Sequence, residues 1–183
     1  MNKLDAKALR DLDEATILPE IPRHPVFFIL DNIYDTYNIG GLFRLADGLA
    51  IEKLYICGES ETPPNHRIKK ASIGTYKVVP WEYCKTTEDA ITALKKEHAS
   101  LQILAIEQDA RSVPYNTHTY TTPVALILGN ETTGVSQGVL DMCDAILEIP
   151  MFGINISLNV IVSAAIVSYH VYNQLDRLLP QEV

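Results

Sequence analysis

The stretch from Ala145 to Leu178 reads AILEIPMFGINISLNVIVSAAIVSYHVYNQLDRL, and it decides the fold class. Its first residues are apolar and stop at Pro150, which has no N–H for a sheet ladder, so they predict a strand over Ala145–Ile149. A glycine-containing loop follows, and Ser157 is expected to cap a long helix. Because this helix is apolar on nearly every side, we expect it to be buried between its own sheet and another layer, for which a second subunit is the natural candidate.

The rest of the chain alternates short apolar runs with helical patterns. The runs that predict strands before Ala145 are Val26–Leu30, Lys53–Cys57, Lys77–Pro80, Leu101–Ile106 and Thr122–Leu128. The helical patterns between them begin at Asn38, Thr86 and Gln137. Continuously apolar strands that alternate with helices are typical of an α/β fold, a mostly parallel sheet with helices on both faces.

Length and composition suit one domain preceded by an arm. The chain has 183 residues, of which 47% are hydrophobic, enough for a full core. Residues 1–24 carry one weak apolar stripe and then several prolines, so we expect an N-terminal arm before a domain over residues 25–183. The three cysteines form no CxxC pair, which argues against a disulfide framework and against a zinc or other metal site.

Two further features concern location and partners. The N-terminus lacks the apolar core of a signal peptide, and the apolar run over residues 156–171 is short and interrupted by polar residues, so we expect a cytoplasmic protein with no membrane span. The net charge is −8, so any contact with nucleic acid must use a local basic patch. The densest basic stretch contains Arg67, Lys69 and Lys70; such a run is usually a solvated face, but here it is also the best candidate for phosphate contacts.

Three loops with glycine and small polar residues follow predicted strands. They read DNIYDTYNIGG from Asp31, GNETTGVS from Gly129 and MFGINISLN from Met151. Binding sites of parallel sheets lie beyond the carboxyl ends of the strands, so these loops are the candidate site. Each polar residue also has a plain structural interpretation, since Asn38 and Ser157 could be helix caps and Glu131 an exposed loop charge.

These loops resemble the motifs of the SPOUT superfamily of methyltransferases, in its SpoU/TrmH branch. The matching stretches are YNIGGLFRLAD, with Asn38 and Arg44, then LILGNETTGVS, and finally IPMFGINISLNVIVSAAI. The resemblance covers roughly Val26 to Tyr172. It implies an α/β fold with a C-terminal trefoil knot, S-adenosylmethionine as methyl donor, a homodimer, and tRNA or rRNA as substrate, usually methylated at a ribose 2′-oxygen.

The resemblance also implies roles for individual residues. The implied catalytic residues are Arg44, Asn38, Glu131, Ser157 and Asn159. The implied donor-binding residues are Ile106, Leu128, Gly129, Asn130, Ile149, Met151, Gly153, Ser157 and Leu158. Because a guanidinium stays protonated in proteins, we expect Arg44 to stabilise a developing alkoxide rather than to act as a base.

Other functions remain open at this point. A related methyltransferase could modify a base instead of a ribose. A protein of the same fold could bind RNA or assist assembly without turnover, which the acidic pI of about 5.0 favours. A generic nucleotide-binding α/β protein is a further alternative, although no GxGxxG or Walker-type loop is present.

Overall fold

The computed structural model describes residues 3–13 and 21–175. Strands β1–β7 span His24–Asp31, Ile51–Cys57, Trp81–Cys84, Gln102–Ile106, Val113–Pro114, Val124–Gly129 and Ala145–Glu148. Helices α1–α6 span Ala6–Asp11, Thr36–Gly48, His66–Ser72, Thr87–Glu97, Gln137–Leu140 and Val160–Leu175, and a 3₁₀ turn covers Thr75–Lys77.

The strands form one sheet in the order β3-β2-β1-β6-β4-β7-β5, and every neighbouring pair is parallel. Successive residues of β1 point to opposite faces, so Phe28 packs with α2, α3 and α6 while Phe27 packs with α4 and α5. Both faces are therefore covered by helices. The predicted α/β class is confirmed, and the knot stays a prediction.

The third strand is not where the sequence predicted it. The prediction for Lys77–Pro80 is wrong, since this segment lies in and just after the 3₁₀ turn and the strand begins at Trp81. Val79 is buried all the same, because it enters the core from the turn. The strand itself is a half-exposed edge strand, so its polar composition hid it. The sequence did not predict β5, because a strand of two residues leaves no recognisable pattern.

Helix α6 begins later than predicted. It starts at Val160, so the prediction that Ser157 caps it is wrong. Its inner face is buried, but Val162 and Tyr169 on the other side are 46% and 55% exposed. In the single chain α6 is therefore covered on one side only, and the second subunit expected on its other side stays a prediction.

Of the predicted starts of α2 and α4, only that of α4 is confirmed. Thr86 caps α4 as its spacing predicted, with its side chain accepting from the Asp89 N–H at 3.1 Å. Asn38, by contrast, lies inside the first turn of α2, and Asp35 is the residue that caps this helix. The side chain of Asn38 is thus released for contacts outside its own helix.

Part of the predicted N-terminal arm is described. Helix α1 packs along the 3₁₀ turn, where the Lys77 ammonium donates to the carbonyl of Arg10 at 3.1 Å and to that of Leu12. The backbone of Leu9 lies so close to Gly74 that an added Cβ would meet its carbonyl oxygen at 2.4 Å. Residues 14–20 and the end of the chain, where the long helix was predicted to continue, lie outside the described residues.

Within residues 3–13 and 21–175, no helix combines the length and the apolar character that crossing a membrane requires.

Candidate active site

A cavity of about 640 Å³ lies at the carboxyl ends of β4, β6 and β7. We call it the main cavity. Eight of the nine residues predicted to bind a donor line it: Ile106, Leu128, Gly129, Asn130, Ile149, Met151, Ser157 and Leu158. The ninth, Gly153, lies outside the wall, and a Cβ added there would meet nothing within 4 Å. A close approach at Gly153 therefore stays a prediction.

The loop from Gly129 to Ser136 is held tightly by its own backbone. A Cβ at Gly129 would lie 2.5 Å from the Val135 nitrogen, so glycine is required by the loop itself. The Asn130 side chain accepts from the N–H groups of Thr132 and Thr133 at 2.8 and 3.0 Å and donates to the Asn32 carbonyl at 2.7 Å. This loop is therefore a rigid wall of the main cavity.

The three predicted motifs meet in one row of hydrogen bonds. Asn38 Nδ2 donates to Glu131 Oε1 at 2.8 Å, and Asn159 Nδ2 donates to Asn38 Oδ1 at 2.9 Å. Asn159 Oδ1 then accepts from the Ile161 N–H at 2.9 Å, so Asn159 caps α6. We call Glu131, Asn38 and Asn159 the polar row. It connects loops that follow β1, β6 and β7.

Glu131 serves the first loop as well as the polar row. Its carboxylate accepts from the backbone N–H groups of Tyr34 and Asp35, both at 3.2 Å. These contacts tie the start of α2 to the loop after β6. Glu131 therefore orients Asn38 and loop N–H groups, and it makes no hydrogen bond with Asn159 or Arg44.

Arg44 is not brought into the main cavity. It is exposed on α2, and it does not line the cavity wall. One turn before it, Gly41 lies so near α6 that a Cβ there would be 2.3 Å from Ile161 Cδ1. Arg44 thus lies one turn beyond the contact between α2 and α6, and its side chain is exposed to solvent there.

The basic stretch forms most of α3. Arg67, Lys69 and Lys70 are all exposed. Arg67 also lines a smaller cavity of about 540 Å³ together with Tyr34 and His66. We call it the Arg67 cavity. A positive surface is thus present beside the first loop.

Sequence reasoning missed two residues at the end of β4. Glu107 lines the main cavity, and its Oε2 accepts from the Val135 N–H at 2.9 Å. Gln108 donates to the carbonyl of Ile156 at 2.5 Å, on the opposite wall. Their position directly after a buried strand could have pointed to them, but Glu107 and Gln108 belong to no motif with a known spacing. Together they join both walls of the cavity.

Negative charge lies near the polar row, at the loop after β1. The negative charge of Glu59 raises the pKa of Tyr34 above its ordinary value, and the Tyr34 hydroxyl donates to that carboxylate at 3.2 Å. Among residues 3–13 and 21–175, no group of three or more His, Cys, Asp or Glu side chains could hold a metal ion.

Comparisons with known proteins agree on one family. The model of the SpoU rRNA Methylase family matches residues 25–169. The 23S rRNA (guanosine-2′-O-)-methyltransferase RlmB of Neisseria meningitidis is 28% identical over 151 residues, which are 82% of this chain and 59% of that protein. The tRNA (guanosine(18)-2′-O)-methyltransferase of Escherichia coli is 28% identical over 148 residues, 79% of this chain and 62% of that protein.

A solved structure agrees as well. The AdoMet-bound rRNA methyltransferase from Sinorhizobium meliloti superposes with a TM-score of 0.76 at 27% identity, covering 94% of this chain and 61% of that one. The chain spans about three fifths of the length of the curated relatives named above.

Proposed function

Because the chain belongs to the SpoU rRNA Methylase family, we propose that it transfers the methyl group of S-adenosylmethionine to a ribose 2′-hydroxyl of tRNA or rRNA. The observation that carries this proposal is the polar row. Glu131, Asn38 and Asn159 come from the loop after β6, the first turn of α2 and the loop before α6, and they meet beside a cavity large enough for a nucleoside. Binding sites of parallel sheets lie at this carboxyl edge, and the polar row and the main cavity coincide there.

The lining of the main cavity suits this donor. The apolar ends of β4, β6 and β7 offer a slot for an adenine ring. The carboxylates of Glu107, Glu131 and Glu148 line the same cavity and can accept hydrogen bonds from ribose hydroxyls. We assign donor binding to Ile106, Leu128, Gly129, Asn130, Ile149, Met151, Gly153, Ser157 and Leu158. The donor supplies a methyl group already activated as a sulfonium, so the protein has to position it and exclude water.

In our proposal the acceptor side uses Arg44 and the polar row. The Arg44 guanidinium stays protonated, and it stabilises the alkoxide that develops on the ribose and grips the adjacent phosphate. Asn38 and Asn159 orient the acceptor, and Glu131 holds Asn38 in place. Ser157 completes the site where the loop meets α6. The acceptor proton passes to a phosphate oxygen or to water.

We further propose that the working form is a homodimer in the cytoplasm. The loop before α6 exposes large apolar side chains, with Phe152, Ile154 and Ile156 exposed by 97%, 102% and 73%. Val162 and Tyr169 extend this surface along α6. Groups of exposed large apolar side chains often mark protein–protein interfaces, so a second copy of this chain is the natural cover. Arg44 lies beside the same helix contact, where a partner subunit could approach it.

RNA contact is assigned to Arg67, Lys69 and Lys70. These residues form an exposed positive surface in a chain whose net charge is −8. Phosphate groups are therefore attracted to this part of the surface.

One observation favours a second candidate function. Arg44 does not line the main cavity, and a site without its cation would bind RNA and donor but turn over slowly. The second candidate is accordingly an RNA-binding or assembly protein of the same fold without turnover.

Titration calorimetry with S-adenosylmethionine and S-adenosylhomocysteine tests the proposal first. We expect saturable binding near one per chain, abolished by Leu158→Trp. A bulky residue at Gly129 is a poorer probe, because it would disrupt the loop itself. Transfer of labelled methyl groups to bacterial tRNA or rRNA, with the product found at ribose 2′-oxygens, would then establish the reaction. Donor and RNA binding without transfer would favour the second candidate, and absence of donor binding would refute the enzyme.

A further inference from the structure

A second cavity, of about 670 Å³, opens at the carboxyl ends of β1, β2 and β3 and at the start of α4. It lies on the other side of the loop after β6, since Asn130, Thr133 and Gly134 line both this cavity and the main one. We call it the tyrosine cavity. Of the residues with an expected role in donor, acceptor or RNA binding, Asn130 alone lines it.

Two tyrosines form the walls that distinguish this cavity. Tyr34 and Tyr83 both line it, and they are 55% and 50% exposed. The hydroxyl of Tyr34 donates to Glu59 at 3.2 Å, and that of Tyr83 donates to the Gly58 carbonyl at 3.0 Å. Neither ring packs against another aromatic ring within the described residues. Each ring is thus held at its tip, so little side-chain entropy remains to be lost when a flat ligand stacks on it.

The position of Tyr34 connects this cavity to the candidate active site. Its backbone N–H donates to Glu131 Oε2 at 3.2 Å, which ties it to the polar row. Its side chain also lines the Arg67 cavity. Tyr34 therefore stands between a cation suited to phosphate and a cavity suited to an aromatic ring, the arrangement that single-stranded RNA requires.

The charged residues at the rim of the tyrosine cavity determine which aromatic ligand it can accept. Glu59 and Glu88 are exposed at the rim, and Lys85 is the cation among the residues that line the cavity. The excess of negative charge repels a phosphate, and the two carboxylates can accept hydrogen bonds from N–H groups. A neutral nucleobase with donors on its edge can enter, while the sugar–phosphate chain stays outside, toward Arg67.

We propose that the tyrosine cavity binds an unstacked base of the RNA substrate, next to the nucleotide that is methylated. This proposal rests on the function proposed above. It gives the acidic chain a way to hold RNA that does not depend on charge, because stacking on tyrosine is insensitive to salt whereas phosphate contacts are not.

Paired substitutions at each tyrosine test this proposal. Tyr34→Leu and Tyr83→Leu remove a stacking face, whereas Tyr34→Phe and Tyr83→Phe keep it and remove only the hydroxyl. Binding of fluorescein-labelled bulk bacterial tRNA is followed by anisotropy in the presence of S-adenosylhomocysteine, at several salt concentrations. We expect each leucine variant to bind roughly 5- to 100-fold more weakly, with an unchanged salt slope, and each phenylalanine variant to bind nearly as well as the wild type.

Calorimetry with S-adenosylhomocysteine verifies that each variant still folds with an intact main cavity. Leucine variants that bind the tRNA as tightly as the wild type would refute the base site, and so would a loss shared equally by leucine and phenylalanine variants. An affinity of the wild type for an arginine-rich peptide, lost in the leucine variants that keep tRNA binding, would assign the cavity to a basic protein partner instead. A wild type that binds neither tRNA nor S-adenosylhomocysteine would refute the proposed function itself, a result distinct from all of these.

Discussion

Asn38 Nδ2 donates to Glu131 Oε1 at 2.8 Å, although the two residues are 93 positions apart in the chain. Asn38 is only 5% exposed, so its amide has little access to water that could replace this partner. Its oxygen accepts in turn from Asn159. A buried side chain that is bonded at both ends couples the loops after β1, β6 and β7 into one unit.

Removing this amide should loosen the whole site. Asn38→Ala leaves the Asn159 amide without its partner and Glu131 without a charge-assisted bond, so we expect a loss of about 1–3 kcal/mol in the free energy of unfolding. Urea unfolding measures this loss. Asn116→Ala, at an exposed loop position, is the matched control and should change the free energy little. An Asn38 variant as stable as the control would mean that the polar row contributes nothing to the fold.

Arg44 should matter for transfer and not for donor binding. Arg44→Ala removes the cation that we propose stabilises the alkoxide, and we expect the rate of methyl transfer to fall by about 10²–10³-fold. The Kd for S-adenosylmethionine should stay unchanged, because Arg44 lies outside the main cavity. Arg44→Lys should recover part of the rate, since it restores charge without the planar fork. A weakened donor affinity would place Arg44 in a different role.

Glu107 should control donor affinity through the loop after β6. Glu107→Gln replaces the charged acceptor of the Val135 N–H by a neutral one, which costs about 1 kcal/mol and thus weakens donor binding roughly fivefold. Hydrogen exchange at Val135 should become faster in the same variant. Glu97→Gln removes an exposed carboxylate from α4 and serves as the control. Unchanged exchange at Val135 would contradict this positioning role.

The apolar surface of α6 should determine the oligomeric state. Val162→Asp places a charge on a side chain that is 46% exposed, so the single chain should fold normally while association is lost. Sedimentation velocity distinguishes dimer from monomer. Thr92→Asp, on the exposed side of α4, should leave the sedimentation coefficient unchanged. A wild type that sediments as a monomer at micromolar concentration would refute the proposed dimer.

The basic surface of α3 should set the salt dependence of RNA binding. Charge reversal at Arg67, Lys69 and Lys70 removes the proposed phosphate contacts, and each lost contact should reduce the slope of log K against log salt by about 0.7–0.9. Lys96→Glu makes the corresponding change on α4, away from the site. Equal slopes for the triple variant and the wild type would exclude α3 as the RNA surface.

Sequence reasoning succeeded where local chemistry is decisive. Continuous apolar runs predicted the buried strands β1, β2, β4, β6 and β7, because a strand covered on both faces needs no alternation. It failed at the edge of the sheet, where Trp81–Cys84 is half exposed and the apolar Val78 and Val79 belong to a turn. The cap of α6 was also predicted wrongly: the sequence indicated Ser157 and the structure has Asn159, since both polar residues near the start of the helix satisfy the same pattern.

The sequence by itself determined the α/β class, the three loops of the site and eight of the residues that line the main cavity, because these depend on hydrophobic runs and on short motifs whose order in the chain can be read directly. Only the tertiary structure decided that Asn38 links Glu131 to Asn159, that Glu107 holds the loop after β6, and that Arg44 stays outside the cavity. Hydrogen bonds between residues about a hundred positions apart depend on strand order and on the packing of α2 against α6. No local pattern encodes that order, since it results from which strands pair across the whole sheet.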